Sequence, residues 1–261
     1  MNRILFESGE IRNGVATFGD VRAEHVLNVL HGEVGQVLKT GEVNGLIGTG
    51  VIKSIETSCC GDLSSEHPSN RPSDHVRMSV SVCHEEESLK PWVDLILAPP
   101  RPRVMKRLLP QLAAMGVGRI FLVGAKKVEK DFWGATLLKE ENYRPLLIDG
   151  LMQAGTSILP TLETRRNFRK FVREELDTLW PKSKRIVAHP YDASHQVQSS
   201  KFKVQSPVVL AIGPEGGWTD EEVALLGEYG FARYSLGSRI LRTDTAAIAL
   251  LAQLMKEFGV C

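Results

Sequence analysis

The sequence predicts an α/β protein in two parts: a small β-barrel or sheet domain over residues 1–88 and a mostly parallel, helix-covered sheet over 89–261. Three observations carry this. Residues 2–55 hold short β-branched or alternating runs parted by glycine-bearing turns. From Trp92 onward, apolar strand-like runs alternate with helical ones, which is the grammar of βα units. Between the two, the polar stretch HEEESLKP reads as a linker.

In the first part ILF, GVATF, VGQVL and GLIGTGVIKSI are strands. One helix, DVRAEHVLNVL, interrupts them, and its spacing places Val21, His25, Leu27 and Leu30 near one face. Residues 57–75, TSCCGDLSSEHPSNRPSDH, hold hardly an apolar side chain and are predicted as a long loop joining two strands. The strand after it, VRMSVSVC, alternates cleanly.

In the second part WVDLILA is a strand, followed by a helix around Val104 to Met115 and a strand at RIFLVGA. Helices are predicted between Thr136 and Ala154 and from Arg165 to Leu179, with Phe168, Phe171 and Val172 inward, then strands at RIVAHP and PVVLAIG. The last segment, YSLGSRILRTDTAAIALLAQLMKEF, runs from a strand through a polar turn into a long helix. There Ile248, Leu251, Met255 and Phe258 share a face.

With 261 residues, of which 43% are hydrophobic, the chain can bury a real core. Lys plus Arg number 32 against 31 Asp plus Glu, so no global charge draws it to nucleic acid. Such a role falls to local clusters: RPRVMKR at 101–107, KKVEK at 126–130 and RRNFRKFVR at 165–173. Four cysteines without CxxC spacing point to a reducing compartment and to no metal site. No apolar run is long enough for a membrane span, and the first residues lack a signal-peptide layout. The expected location is the cytoplasm, with an organellar stroma or matrix as the other option.

The chemistry is expected at AIGPEGGWTDEEV, residues 211–223. A buried strand ends at Ile212, and Thr219 with Glu222 forms a capping box that starts a helix. Glycines at 213, 216 and 217 let main-chain groups approach a ligand without side-chain obstruction, and the helix start favours anions. Neither G-x-x-x-x-G-K-[ST] nor a G-x-G-x-x-G after a strand occurs, which argues against nucleoside triphosphate and dinucleotide cradles. A tight turn alone would also use these glycines. The second stretch, SLGSRILRTDTA, adds Arg239 and Arg242 in one turn, beside Thr243, Asp244 and Thr245, any of which is placed to cap the helix. His25 and His189 are read as structural histidines, lacking a paired carboxylate in sequence.

IGPEGG-W-T-x-E-E followed by SLGSRILRTDTA resembles the paired signature of the RsmE-type ribosomal RNA uridine-N3 methyltransferases. MGVGRIFLV, LMQAGTSILP and AEHVLNVL fall in that family's order and spacing. The resemblance implies a SPOUT-type trefoil-knotted parallel sheet domain, preceded by a PUA-like RNA-binding β-barrel, acting as a homodimer on ribosomal RNA or the small ribosomal subunit. It implies S-adenosylmethionine as cofactor, held by Ile212, Gly213, Glu215 and Gly216 in the first motif and by Leu236, Gly237, Ile240, Leu241, Arg242 and Thr245 in the second. The loop at His189 and Pro190 is a third candidate.

Methylating a uracil N3 requires an imide proton to leave while the nitrogen is aligned with the methyl donor, so positioning and charge stabilisation carry most of the work. Arg239 or Arg242 is the expected stabiliser of the uracil carbonyls, with Glu215 or a water taking the proton. Glu215 on such a loop equally complements the helix dipole.

The sequence departs from the family pattern at His31, Val26, Gln111, Ala114 and Thr156, and in the 57–75 insertion. These changes spare the cofactor motifs and fall where substrate contacts are expected. A non-catalytic RNA-binding or assembly factor on the same scaffold, and a methyltransferase with another substrate, therefore stay open.

Overall fold

A computed structural model of the protein describes residues 2–58, 75–190 and 207–260. The chain divides into two compact units: residues 1–89 with 152–157, and residues 90–151 with 158–261.

The first unit is a six-stranded sheet. Its strands are β1 (Ile4–Phe6), β2 (Ile11–Arg12), β3 (Val15–Phe18), β4 (Val37–Glu42), β5 (Ile47–Ser58) and β6 (His75–Glu86), in the order β1-β4-β5-β6-β3-β2. Only β1 and β4 pair in parallel. The rings of Phe6 and Phe18, on strands one and five of that order, lie 5.3 Å apart. That closeness requires the sheet to curl around one core, which includes Ile4, Ile52, Met78 and Val80. Gly48 permits the curl: a Cβ there would lie 2.1 Å from the Cys83 carbonyl oxygen. The expected barrel-like β domain is thus present. β6 runs further than the alternation of VRMSVSVC predicts, because His84 and Glu86 still pair with β5. Thr57, Ser58 and His75 belong to strands, and the remaining residues of the predicted loop, 59–74, lie outside those described.

The helix α1 (Val21–Asn28) is present but turned from its predicted face. Ala23 and Val26 are buried, Leu27 packs half-buried on the core, and Val21 and Leu30 are exposed. The cause is Arg22. It binds the carboxylates of Asp20, at 2.7 Å, and Glu10, and its guanidinium carbon stands 5.5 and 5.3 Å from the Phe6 and Phe18 rings. Seating that long cation over the aromatic pair decides the helix rotation. His31, just beyond, adopts a left-handed φ of 50° that histidine tolerates better than most residues.

The second unit carries an all-parallel sheet of β7 (Val93–Leu97), β8 (Val117–Val123), β9 (Thr161–Arg165), β10 (Lys184–Ala188), β11 (Val208–Ile212) and β12 (Ala232–Tyr234), in the order β12-β10-β11-β7-β8-β9. Its helices are α2 (Pro102–Ala114), α3 (Glu140–Ala154), α4 (Phe168–Glu174), α5 (Leu176–Leu179), α6 (Asp220–Glu228) and α7 (Thr243–Phe258). β7 and β11 are buried at every position, as unbroken apolar strands covered on both faces must be. Two expectations change. The helix predicted from Arg165 starts at Phe168, with Asn167 capping it, because residues 161–165 pair with β8 as an edge strand. In α7 the buried face is Ala247, Leu250, Leu251, Leu254 and Phe258, whereas Ile248 and Met255 are half-exposed. The helical repeat fits two adjoining stripes equally well, and packing selects one.

Candidate functional site

Three adjacent strands, β11, β10 and β12, all point the same way, so their carboxyl ends deliver three loops to one place. That edge is where ligands collect in parallel sheets. A cavity of about 620 Å³ lies there, a size ordinary for a small-molecule site. It is walled by Ala188–Pro190 at the end of β10, Ile212–Trp218 at the end of β11, and Tyr234–Gly237 with Arg239–Leu241 at the end of β12.

Of the residues expected from the sequence, Ile212, Gly213, Glu215, Gly216, Leu236, Gly237, Arg239, Ile240 and Leu241 line this cavity, with His189 and Pro190. Arg242 and Thr245 stand outside the lining. Arg242 is exposed, its Nε 4.0 Å from Asp244 Oδ1, and forms the N-cap of α7 without a side-chain capping bond. Asp244 Oδ1 accepts a hydrogen bond from the Thr245 main-chain N–H at 3.0 Å. Arg239 makes no hydrogen bond or ion pair among the described residues. Glu215 is exposed at the rim, 3.8 Å from the Nε of Arg101, which is held more closely by Glu129 at 3.0 Å.

The glycines are needed for space and for backbone shape. A Cβ on Gly213 would stand 3.0 Å from the Trp218 main-chain nitrogen, and one on Gly216 would stand 3.0 Å from Lys127 Cδ. Gly237, at φ 118°, holds a conformation that a side chain would strain. The predicted capping box is formed, and Glu222 does more than cap. Its buried carboxylate accepts from the Thr219 N–H at 2.8 Å and from the Lys126 N–H at 2.8 Å, tying the loop after β11 to the loop after β8.

Sequence reasoning missed Lys127, Trp218, Tyr234 and Thr243 on the cavity wall. Lys127 Nζ donates to the Gly216 carbonyl oxygen at 2.7 Å across 89 residues, a contact without local signal. Trp218, stacked on Phe168 at 5.1 Å, has a buried Nε1–H with no partner among the described residues. Its place inside the glycine motif could have marked it. Tyr234 donates from its hydroxyl to Glu257 at 2.6 Å. Burial, reinforced by that carboxylate, raises its phenol well above the usual range. His25 belongs to the first unit, on α1.

Among the described residues, no helix is long and apolar enough to cross a membrane, and no three His, Cys, Asp or Glu side chains gather to hold a metal ion.

Comparison with known proteins places the chain. The family described as RNA methyltransferase domain matches residues 86–255. A protein from Treponema pallidum named Ribosomal RNA small subunit methyltransferase E is 29% identical over 97% of this chain and 90% of its own. Ribosomal RNA small subunit methyltransferase E 1 of Borreliella burgdorferi is 24% identical over 95% of each chain. In fold the chain is similar to the crystal structure of a Ribosomal RNA small subunit methyltransferase E from Neisseria gonorrhoeae bound to S-adenosyl methionine. The TM-score is 0.72 at 21% identity, over 98% of this chain and 97% of that one. With the family match spanning the whole helix-covered sheet, and relatives matching both units, this chain belongs to the RNA methyltransferase domain family.

Proposed function

We propose that the chain is an S-adenosylmethionine-dependent methyltransferase that modifies N3 of a uridine in small-subunit ribosomal RNA. One observation carries this reading: two motifs about twenty residues apart, read from the sequence as cofactor motifs, meet around one cavity at the carboxyl ends of β10, β11 and β12. The relatives named Ribosomal RNA small subunit methyltransferase E and E 1, similar over nearly the whole chain, support the RNA substrate.

The residues present fit the cofactor. The main chain of Gly213, Gly216 and Gly217, none of it fully buried, and the apolar Leu236, Ile240 and Leu241 line the cavity and suit the edge and faces of a flat purine. When bound, S-adenosylmethionine supplies an electrophilic methyl group carried on a sulfonium.

The chain's own work is to orient the uracil and manage its N3 proton. Arg239 is the better placed of the two arginines, because it lines the cavity with its guanidinium uncommitted among the described residues, whereas Arg242 lies outside. It stabilises the negative charge that builds on the uracil carbonyl oxygens as N3 is deprotonated. Glu215 at the rim, or a water beside it, accepts the proton.

With this reading come a trefoil knot in the second unit, a PUA-like RNA-binding role for the first, a boundary between them near residue 88, and a homodimer. The full-length likeness in fold supports the first two, and the half-exposed Ile248 and Met255 of α7 offer apolar surface to a second copy. A cytoplasmic site of action follows from the substrate. Calorimetric titration with S-adenosylmethionine tests the whole: saturable binding, abolished in Gly213→Val, is expected. Absence of binding at millimolar cofactor would leave a non-catalytic RNA-binding scaffold as the better reading.

A further inference from the structure

Lys126 and Lys127 are neighbours in the chain, yet they line different cavities. Lys127 borders the one described above, and Lys126 borders a second, of about 290 Å³, together with Arg166, Asn167, Arg169, Thr219 and Glu221. Two basic stretches that are far apart in sequence, 126–130 and 165–173, thus converge at the carboxyl ends of the paired strands β8 and β9.

The electrostatics of this second cavity favour an anion. Glu222, also in its wall, is buried and spends both carboxylate oxygens on donors of the protein, the main chain of Lys126 and Thr219 and the Thr219 hydroxyl. The wall therefore carries three cations, Lys126, Arg166 and Arg169, against two carboxylates, Glu222 and Glu221, and of the two only Glu221 pairs with one of the cations. It meets Arg169 at 2.6 Å, but both side chains are more than half exposed, so the pair is weakly held and easily exchanged. Arg166 has no carboxylate partner among the described residues. Its Nη2 donates to the Trp133 carbonyl oxygen at 3.3 Å, and its guanidinium lies 5.7 Å from that indole ring.

We propose that this second cavity seats a backbone phosphate of the substrate RNA, next in the strand to the nucleotide whose base enters the first cavity. The inference rests on the RNA methyltransferase reading above. Arg166 and Arg169 present guanidinium forks suited to a phosphate, and Lys126 adds a point charge. The incoming phosphate replaces Glu221 as the partner of Arg169, so Glu221 acts as a placeholder whose removal improves RNA binding.

The test measures fluorescence anisotropy of a labelled single-stranded oligouridylate on the full chain across a potassium chloride series, with cofactor affinity measured in parallel by calorimetry. The expected result for the Arg166→Ala, Arg169→Ala double variant is a loss of about tenfold or more in RNA affinity, with the slope of log K against log salt reduced by about one or more. Cofactor affinity is expected to be unchanged. Glu221→Gln is expected to tighten RNA binding about threefold, an effect of opposite sign that damage to the fold would not produce. An unaltered salt slope in the double variant, or a Glu221→Gln chain that binds no better than wild type, overturns the phosphate site. So does a wild-type chain that binds the oligouridylate without salt dependence. If the wild-type chain fails to bind S-adenosylmethionine, it is the enzymatic reading that fails.

Discussion

The indole of Trp218 lies against the α-carbon of Gly213, so closely that an added Cβ would stand 3.1 Å from its Cδ1 and 3.2 Å from its Cγ. The indole cannot slide away freely, because Phe168 stacks on it. Trp218 is therefore packed between Gly213 and Phe168, with no room at residue 213 for a side chain unless the indole shifts. Gly213→Ala should cost about 1–3 kcal/mol of stability by overpacking, read as a lower denaturant midpoint at constant m. An unchanged midpoint would mean that the indole yields.

Glu222 should matter more than an ordinary capping residue. Removing its carboxylate strands the main-chain N–H groups of Thr219 and Lys126 together. Glu222→Ala is expected to lose about 2–4 kcal/mol, against about 1 kcal/mol for Thr219→Ala. Comparing the two in urea unfolding checks the ratio, and near-equal losses would reduce Glu222 to a simple cap.

Asp94 anchors the other end of the same sheet. Its Oδ2 accepts from Trp180 Nε1 at 2.7 Å and from Arg119 at 2.6 Å, in a nearly buried setting. Asp94→Ala leaves the indole N–H and the guanidinium without their acceptor and should cost about 3 kcal/mol, with Asp94→Asn costing less. Unfolding followed by tryptophan fluorescence measures both.

Acid should weaken the first unit through Arg22. Its hydrogen bonds hold the Glu10 carboxyl below the usual range; at Asp20 burial pushes the carboxyl up, but the hydrogen bonds and charge of Arg22, with a main-chain hydrogen bond of Asp20 itself, together bring it below. A carboxylate with a depressed folded pKa contributes stability that is present above its unfolded value and lost as pH falls through the folded one. Stability should thus decline below about pH 4, and Glu10→Gln should flatten that decline. Thermal unfolding of both chains from pH 7 to pH 3 reads this directly, and parallel curves would deny Glu10 a part in it.

Arg239 and Arg242 should separate kinetically. Arg239→Ala is expected to lower kcat about a hundredfold with cofactor affinity kept, as for loss of one charge-stabilising donor. Arg242→Ala, whose side chain stands outside the cavity, should have a smaller effect on kcat. Single-turnover methylation of ribosomal RNA separates them, and the reverse order would move the catalytic role to Arg242.

The sequence by itself determined the α/β class, the β-first order of the parts, the strand into the glycine loop and the capping box that follows it, because each rests on local periodicity or turn chemistry. It also marked about half of the cavity wall, since glycines and paired motifs are local features. Tertiary structure alone decided the rest. The rotation of α1 depends on Glu10 and Phe6, distant in sequence from Arg22. The strand at 161–165 has only β8 to define it, and an edge strand half exposed on both faces carries little hydrophobic pattern. Lys127 and Trp218 join the site because β8 and β11 each pair with β7, which brings together the ends of strands remote along the chain. Local propensity sees a few residues in either direction, whereas a binding cavity in a parallel sheet is assembled by crossovers that no short window contains.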